Sequence, residues 1–277
     1  MFSTSILTWI LSASLCKAQP VRCFHRISHA HINTHVIGNL KNNSKVTLLG
    51  GWMRPREDFK FLARKLEEKG FCVILPEFRG SGRHEVGDSF LIRDLANDIQ
   101  SVWSQLGIQQ TILMGVSMGG MVAQEVLMEK SEVSIPKAIL ISTTAKSDDV
   151  TRNEQIPIQV KKYVSDRYID RKPKNVETMQ SDFDQLILNK DRNIPIWQRR
   201  AIQQWRPPQV RPHSCKSKAY VFHGDEDKVF SLQSAEELSK IWDAKLEVFS
   251  NHGHLLLVED PRNVVEKVLE ILNDMKD

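Results

Sequence analysis

Short apolar runs alternate with amphipathic segments along most of the chain. The apolar runs predict strands at residues 23–28, 31–37, 45–49 and 71–75, from Thr111 to a break at Gly115, and at 137–141, 219–222 and 246–249. Apolar positions at helical spacing predict helices between Pro55 and Gly70 and at residues 90–106, 118–128, 232–242 and 264–272. This alternation predicts an α/β fold with a mostly parallel central sheet and helices on both of its faces.

The regular alternation fails between residues 146 and 218, where helical patches occur without a clear strand. We interpret this stretch as an inserted, mainly helical cap that divides the core into residues 22–145 and 219–277. It holds 16 Lys and Arg against nine Asp and Glu, so it carries the basic excess of the chain. That charge could steer anionic substrates or an anionic membrane surface toward the core, although charged stretches are usually only solvated faces.

The first 21 residues form a separate segment. Residues 6–15 are an apolar run too short to span a bilayer, and no acidic residue precedes Glu57. A secretory signal cut after Ala18 would export the protein, whereas the Ser, Thr and Arg content also fits an organelle transit peptide, such as a mitochondrial one. The third alternative is an extension without a role on a cytoplasmic protein.

Composition restricts the classes of function. The chain has 277 residues, of which 41% are hydrophobic, and this length suits one large domain with an insertion. A formal net charge of +4 is too small to indicate nucleic-acid binding. The four cysteines lack metal-ligand or redox spacing, and neither a P-loop nor a dinucleotide fingerprint occurs, so we predict no cofactor and no metal.

Residues 115–119 read Gly-Val-Ser-Met-Gly and place Ser117 between a predicted strand and a predicted helix. A G-x-S-x-G pattern in that context predicts a nucleophile elbow. The glycines allow strand and helix to pass closely, and the following helix directs its N-terminal N–H groups at the group that the serine attacks. A glycine-rich turn without chemistry is the alternative.

Several motifs occur in the order typical of one family. They are Leu-Gly-Gly-Trp at 49–52, Glu-Phe-Arg-Gly-Ser-Gly at 77–82, the elbow, Gly-Asp-Glu-Asp-Lys-Val at 224–229, and Gly-His at 253–254 leading into Glu-Asp-Pro at 259–261. From about Arg22 to the C-terminus the chain resembles the α/β-hydrolase fold superfamily, specifically its serine esterase and lactonase members. Residues 117–124 are similar to the segment in 3-oxoadipate enol-lactonases and their esterase and perhydrolase relatives.

The resemblance implies a catalytic triad of Ser117, Asp227 and His254. A neutral serine is a poor nucleophile, so an imidazole must accept its proton, and a carboxylate behind the ring fixes the tautomer. The resemblance also implies an oxyanion hole formed by the backbone N–H groups of Trp52 and Met118. Asp225 and His252 are rivals for the acid and the base. We expect His223 to be a packed or hydrogen-bonded residue.

The chain departs from the family pattern at two positions. Gly50 replaces the usual histidine of the oxyanion loop, and Glu77 replaces an aspartate after the fourth strand. We expect Glu77 to pair with Arg79 or to organise its loop, where Ser81 is a turn residue. We also expect Asp94 and Asp98 to lie on a solvated side of their helix.

Together these features predict a serine hydrolase that cleaves a carboxylic ester, lactone or thioester through an acyl-enzyme. We expect a small ester-like substrate, for which a lipid and an anionic molecule are candidates. A lipase-like enzyme would fit the basic cap, although no long hydrophobic lid is evident. The alternatives are a non-catalytic ligand-binding or scaffold protein on this fold and an acyltransferase with the same triad. Candidates for an apolar acyl pocket are Met53, Met118, Trp197 and Trp205, for which core packing is the alternative.

Overall fold

In a computed structural model of the chain, the structure describes residues 25–28, 32–79, 89–129, 131–146, 159–189 and 193–273. The candidate leader at 1–21 and Ser81 lie outside these residues, as do Cys16 and Cys23.

One eight-stranded sheet organises the described residues, in the order β1-β2-β4-β3-β5-β6-β7-β8. Its strands are β1 His25–Ser28, β2 Asn33–Ile37, β3 Lys45–Leu49, β4 Cys72–Pro76, β5 Ile112–Val116, β6 Lys137–Ile141, β7 Lys218–Gly224 and β8 Lys245–Phe249. β2 pairs antiparallel with both β1 and β4, and all pairs from β4 to β8 are parallel. The predicted mostly parallel sheet is therefore confirmed.

The helices are α1 Lys60–Glu68, α2 Ile92–Gln105, α3 Met118–Met128, α4 Asp166–Arg171, α5 Pro173–Asn189, α6 Asn193–Gln204, α7 Leu232–Trp242, α8 Leu256–Glu259 and α9 Pro261–Asn273. Short 3-10 helices occur at Arg56–Phe59 and Val160–Lys162. Between β6 and β7 the described residues form α4, α5 and α6 and no strand. We call the described residues 159–204 the helical insertion.

Two hydrophobic cores cover the two faces of the sheet. α2, α3 and α7 pack on one face, and α1 and α9 pack on the other. Alternation along the strands divides the side chains between these cores. Leu113 contributes to the first, whereas its neighbours Ile112 and Met114 contribute to the second. Helices cover both faces, which leaves the carboxyl ends of the parallel strands as the edge where loops converge.

Asp98 does not lie on a solvated side as its helix pattern predicted. It is buried and accepts two hydrogen bonds from the Arg79 guanidinium, at 2.6 and 2.5 Å. Glu77 does not pair with Arg79; it accepts hydrogen bonds from Arg56 and Asn33 at 3.1 and 3.3 Å. Of the two alternatives for Glu77, pairing with Arg79 was wrong, because the more deeply placed Asp98 carboxylate occupies the Arg79 guanidinium. That Glu77 organises its loop stays a prediction.

Cys72 is buried in β4, and burial raises the pKa of its thiol to about 11. At neutral pH the thiol is therefore protonated and behaves as a small apolar side chain.

Candidate active site

Ser117 occupies a strained turn between β5 and α3. Its backbone has φ 53° and ψ −117°, a region that residues other than glycine rarely adopt. Hydrogen bonds hold this conformation: the Ser117 N–H donates to the Ile141 carbonyl at 2.9 Å, and the Thr143 hydroxyl donates to the Ser117 carbonyl at 2.9 Å. The neighbouring strand thus fixes the serine at the carboxyl end of β5.

Two glycines allow this turn to form. A Cβ on Gly115 would overlap the carbonyl of Gly119, and a Cβ on Gly119 would overlap the carbonyls of Leu49 and Gly50. Backbone atoms cannot move aside as a flexible side chain can. The close approach of β3, β5 and α3 therefore requires glycine at both positions.

Ser117, His254 and Asp227 form one hydrogen-bonded chain. His254 Nε2 lies 2.9 Å from Ser117 Oγ, and His254 Nδ1 lies 2.8 Å from Asp227 Oδ2. Because a carboxylate only accepts, the Nδ1–H donates to Asp227, which leaves Nε2 to accept the serine proton. The structure brings together the three residues that the sequence motifs singled out, although they come from three separate loops.

The Asp227 carboxylate is fully buried, and neighbouring side chains and backbone N–H groups stabilise its charge. Burial by itself would raise its pKa, but the electrostatic effect and hydrogen bond of the His254 imidazole, the electrostatic effect of His223 and the Phe230 N–H outweigh burial and hold the pKa below its ordinary value. Oδ1 accepts from the N–H groups of Val229 and Phe230 at 2.8 and 2.9 Å. Asp227 is therefore anionic and fixed in orientation.

Aromatic rings enclose the His254 imidazole. The rings of Tyr163 and Phe230 contact it edge-on, with centroid distances of 5.7 and 5.3 Å. Only 3% of its side chain is exposed. The imidazole can therefore rotate little, and it remains aligned between Ser117 and Asp227.

The structure places the rival residues elsewhere. Asp225 caps the neighbouring turn, where it accepts from the Asn251 N–H at 2.6 Å. His252 lies 2.8 Å from the Ser250 carbonyl and 3.5 Å from Asp260. His223 is buried beside the acid, with Nε2 3.0 Å from the Phe230 carbonyl, as expected for a hydrogen-bonded histidine.

Glu259 connects the loop that carries His254 with the helical insertion. Its carboxylate accepts from the Gly253 N–H at 3.0 Å and from the N–H and hydroxyl of Ser165 at 3.1 and 2.5 Å. Burial raises the pKa of Glu259 above its ordinary value, against the opposing effect of these donors. Close by, the Leu255 N–H donates to the Tyr163 carbonyl at 3.0 Å. The sequence motif included Glu259, but no role was predicted for it.

A cavity of about 260 Å³ opens beside Ser117 and His254. Its apolar wall includes Val116, Met121, Phe183, Ile202, Val229, Phe230 and Leu255. The predicted pocket residues Met53, Met118, Trp197 and Trp205 are not part of this wall. Met118 is buried between α3 and the sheet, and the Trp205 indole donates to Glu125 at 2.9 Å, so both are core residues.

Both residues predicted to donate to an oxyanion lie near Ser117. Trp52 contributes to the cavity wall, and Met118 is the first residue of α3, directly after Ser117. A Cβ built on Gly51, the residue before Trp52, would lie 3.4 Å from Ser117 Cβ. The loop after β3 is therefore adjacent to the nucleophile candidate, and the N-terminus of α3 contributes a partial positive charge there.

Sequence reasoning did not identify Arg54, Phe183 and Arg199, which also form the cavity wall. Arg54 had a detectable signal, because Asp58 follows it four residues later, the spacing of a helical ion pair. Phe183 and Arg199 had none, because their positions depend on how the helical insertion packs.

Within the described ranges, no cluster of three or more His, Cys, Asp or Glu side chains is arranged to hold a metal ion. None of the helices in those ranges is long and apolar enough to cross a membrane.

Comparison with known proteins relates this arrangement to one family. Residues 46–261 match the model of the alpha/beta hydrolase fold family. The AB hydrolase superfamily protein YisY of Bacillus subtilis (strain 168) is 22% identical, and the match covers 90% of this chain and 99% of that protein.

Solved structures share the fold. A thermophilic esterase from Thermogutta terrifontis is 19% identical with a TM-score of 0.76, and the match covers 90% of this chain and 98% of the esterase. The enol-lactonase from Burkholderia xenovorans LB400 is 18% identical with a TM-score of 0.74, and the match covers 87% of this chain and 96% of the lactonase. Because the family model matches residues 46–261, which are most of its length, the chain belongs to the α/β-hydrolase fold family.

Proposed function

We propose that this protein is a serine hydrolase that cleaves a carboxylic ester, lactone or thioester through an acyl-enzyme on Ser117. The observation that carries the proposal is the hydrogen-bonded chain from Ser117 through His254 to Asp227 at the wall of a mainly apolar cavity. The similarity to an esterase and an enol-lactonase agrees with it, although at these identities similarity establishes only the fold.

In the first step His254 Nε2 accepts the Ser117 proton while Oγ attacks the carbonyl carbon of the substrate. Asp227 stabilises the imidazolium that results. The Trp52 and Met118 N–H groups donate to the developing oxyanion. The imidazolium then protonates the leaving alcohol or thiol, or the ring oxygen that a lactone retains.

In the second step water attacks the acyl-enzyme and gives His254 its proton. The tetrahedral intermediate collapses, and Ser117 leaves with that proton. Because Asp227 has a lowered pKa, it remains charged through both steps.

The test uses the purified full-length chain and its Ser117→Ala variant. A fluorophosphonate probe should label the wild type and not the variant, and p-nitrophenyl esters from two to sixteen acyl carbons should be hydrolysed only by the wild type. The cavity volume predicts an optimum at short acyl chains. A folded protein that neither reacts with the probe nor turns over any ester would refute a serine hydrolase and favour a binding protein.

A further inference from the structure

The cavity beside Ser117 has an excess of positive charge in a mainly apolar wall. Its basic residues are Arg54, Lys162, Arg199 and Lys228. The single acidic residue in the described wall is Asp58. Lys228 pairs with Asp166 at 2.7 Å in an exposed position, and Lys162 is also exposed. The two arginines are therefore the cations that could act within the cavity.

Arg54 connects the region of the nucleophile with the helical insertion. Its Cγ would lie 3.3 Å from a Cβ built on Gly51, a point only 3.4 Å from Ser117 Cβ. Its Nε and Nη2 donate to the two Asp58 oxygens at 2.5 and 2.7 Å, and its guanidinium lies 5.1 Å from the centre of the Phe183 ring. The side chain is only 11% exposed. The Arg54 guanidinium is thus held by Asp58 along one edge and by the Phe183 ring on one face.

A guanidinium has five N–H donors, and Asp58 accepts from two of them. In the part of the chain that the structure describes, no acceptor contacts the other three. They include both donors on Nη1, which together with Nη2 forms the edge that binds a carboxylate with two hydrogen bonds. Arg54 is therefore preorganised and retains binding capacity.

Arg199 contributes a second cation from α6. It shares one helix face with Ile202 and Gln203, and all three line the cavity. No acidic side chain pairs with it among the described residues. Its neighbour Arg200 instead stacks on Trp197 at 4.9 Å and does not line the cavity. The two adjacent arginines therefore differ in environment while sharing the same helix.

We propose that Arg54 and Arg199 form a carboxylate-binding subsite, and that the substrate is a small ester or lactone whose acyl part carries a carboxylate. This inference rests on the proposed serine-hydrolase function. Asp58 neutralises one of the two arginines, so the subsite has a net charge of one positive unit. An unpaired cation at an apolar wall is energetically unfavourable, and a ligand carboxylate would supply the missing negative charge. The acyl part is the part expected to carry the charge because it remains in the cavity after the alcohol leaves.

The cavity volume restricts the length of this acid. About 260 Å³ lies just below the usual range for drug-sized ligands, roughly 300–1,000 Å³. Since the Arg54 side chain and Ser117 both lie next to Gly51, a short spacer can connect an ester carbonyl at Ser117 with a carboxylate at the guanidinium. We therefore expect monoesters of short dicarboxylic acids to fit.

The experiment compares ligands of equal shape and different charge. The methyl monoesters of succinic, glutaric and adipic acid carry a carboxylate, and their methyl ester monoamides are neutral isosteres. Binding to the full-length Ser117→Ala variant is measured by titration calorimetry, which requires no turnover. We expect the best carboxylate ligand to bind at least roughly tenfold more tightly than its amide, as for hydrogen bonds to a charged group.

Second substitutions in the Ser117→Ala background test the two arginines. Arg199→Gln and the charge-neutral pair Arg54→Gln with Asp58→Asn should each reduce the preference severalfold or more. Arg200→Gln on the same helix is the matched control and should leave the preference intact. Circular dichroism and urea unfolding confirm that each variant is folded.

Equal affinity for acid and amide, no binding of any of the six ligands, or a preference that survives both arginine variants would overturn the subsite. These outcomes are distinct from failure of the proposed function. Loss of the subsite alone leaves probe labelling and hydrolysis of neutral esters by the wild type intact. Failure of the hydrolase assignment instead eliminates labelling and turnover, whereas the charge preference in binding to Ser117→Ala does not depend on either.

Discussion

The backbone strain at Ser117 should make the protein more stable when this serine becomes glycine than when it becomes alanine. Both substitutions remove the hydroxyl and its 2.9 Å hydrogen bond to His254, so that loss is common to the two variants. They differ in the backbone: alanine keeps the Cβ in a conformation with φ 53° and ψ −117°, and glycine removes it.

The expected difference is worked from two opposing contributions. A non-glycine residue in a sparsely populated φ/ψ region costs about 1–3 kcal/mol in the folded state. Glycine loses about 0.4–1 kcal/mol relative to alanine because its unfolded chain has more conformational freedom. Relief of strain is the larger effect. We therefore expect Ser117→Gly to exceed Ser117→Ala in free energy of unfolding by about 1 kcal/mol.

Urea unfolding of the full-length variants measures this difference, with fluorescence and circular dichroism as independent probes. Ser239 is the control, because it lies inside α7 with ordinary helical geometry. There glycine should be less stable than alanine by about 1 kcal/mol. If the order at Ser117 is the same as at Ser239, the elbow stores no strain and the argument is refuted.

The remaining predictions concern three buried or partly buried carboxylates, and each is measured by urea unfolding. Burial raises the pKa of Glu259, so its stabilising contribution is present below the unfolded pKa of about 4.3 and is lost as pH rises through the higher native pKa. Glu259→Gln should therefore gain stability relative to wild type as pH rises above about 4.3; a difference that does not change with pH would contradict this. Burial would raise the pKa of Asp227, but its partners, led by His254, outweigh burial and lower it. The stabilising contribution of Asp227 is therefore present above the unfolded pKa of about 3.9 and is lost as pH falls through the lower native pKa. When the pH is lowered below about 4, the Asp227→Asn variant should therefore lose less stability than the wild type, and an equal loss would refute this. Asp98→Asn should cost about 1–3 kcal/mol because it leaves the Arg79 guanidinium without a counter-charge, and no loss would show that the pair is neutral for stability.

The fold could be predicted because its signals are local. Continuous apolar runs mark strands buried on both faces, and glycines such as Gly115 mark places where backbones must approach closely. The boundaries of the predicted strands and helices lie close to those observed. The short α8 was missed, because its four residues are too few to show a helical period.

The arrangement of the site was only partly predictable. The order of the motifs placed Ser117, Asp227 and His254 in loops at one edge of the sheet, and in the structure these side chains form one hydrogen-bonded chain. The burial of Asp98 was not predictable from helical periodicity, since its partner Arg79 lies nineteen residues earlier in a loop. Hydrophobicity alone cannot indicate that two charges will be buried together.

The cavity wall was predicted least well, for a physical reason. Its distant side belongs to the helical insertion, where the described residues include no strand whose pairing would fix how α5 and α6 are rotated about their axes. The order of the sequence therefore does not indicate which of their side chains faces Ser117. The wrong candidates were chosen for size and apolarity: Trp205 was one of them, and it packs in the core instead. Phe183, which lines the cavity, was not singled out.

The helical insertion is attached to the loop of His254 by one part and lines the cavity with another. Its N-terminal part is hydrogen-bonded to the loop of His254 through Glu259 and Ser165, and through the backbones of Tyr163 and Leu255. The wall formed by α5 and α6 is farther along the chain and uses none of these bonds. Under the proposed function, substitutions on α5 and α6 should therefore change which acyl groups fit, while the loop of His254 stays fixed. Under the same proposal, substitutions at the attachment, such as Ser165→Ala, should instead lower turnover of every substrate by a similar factor.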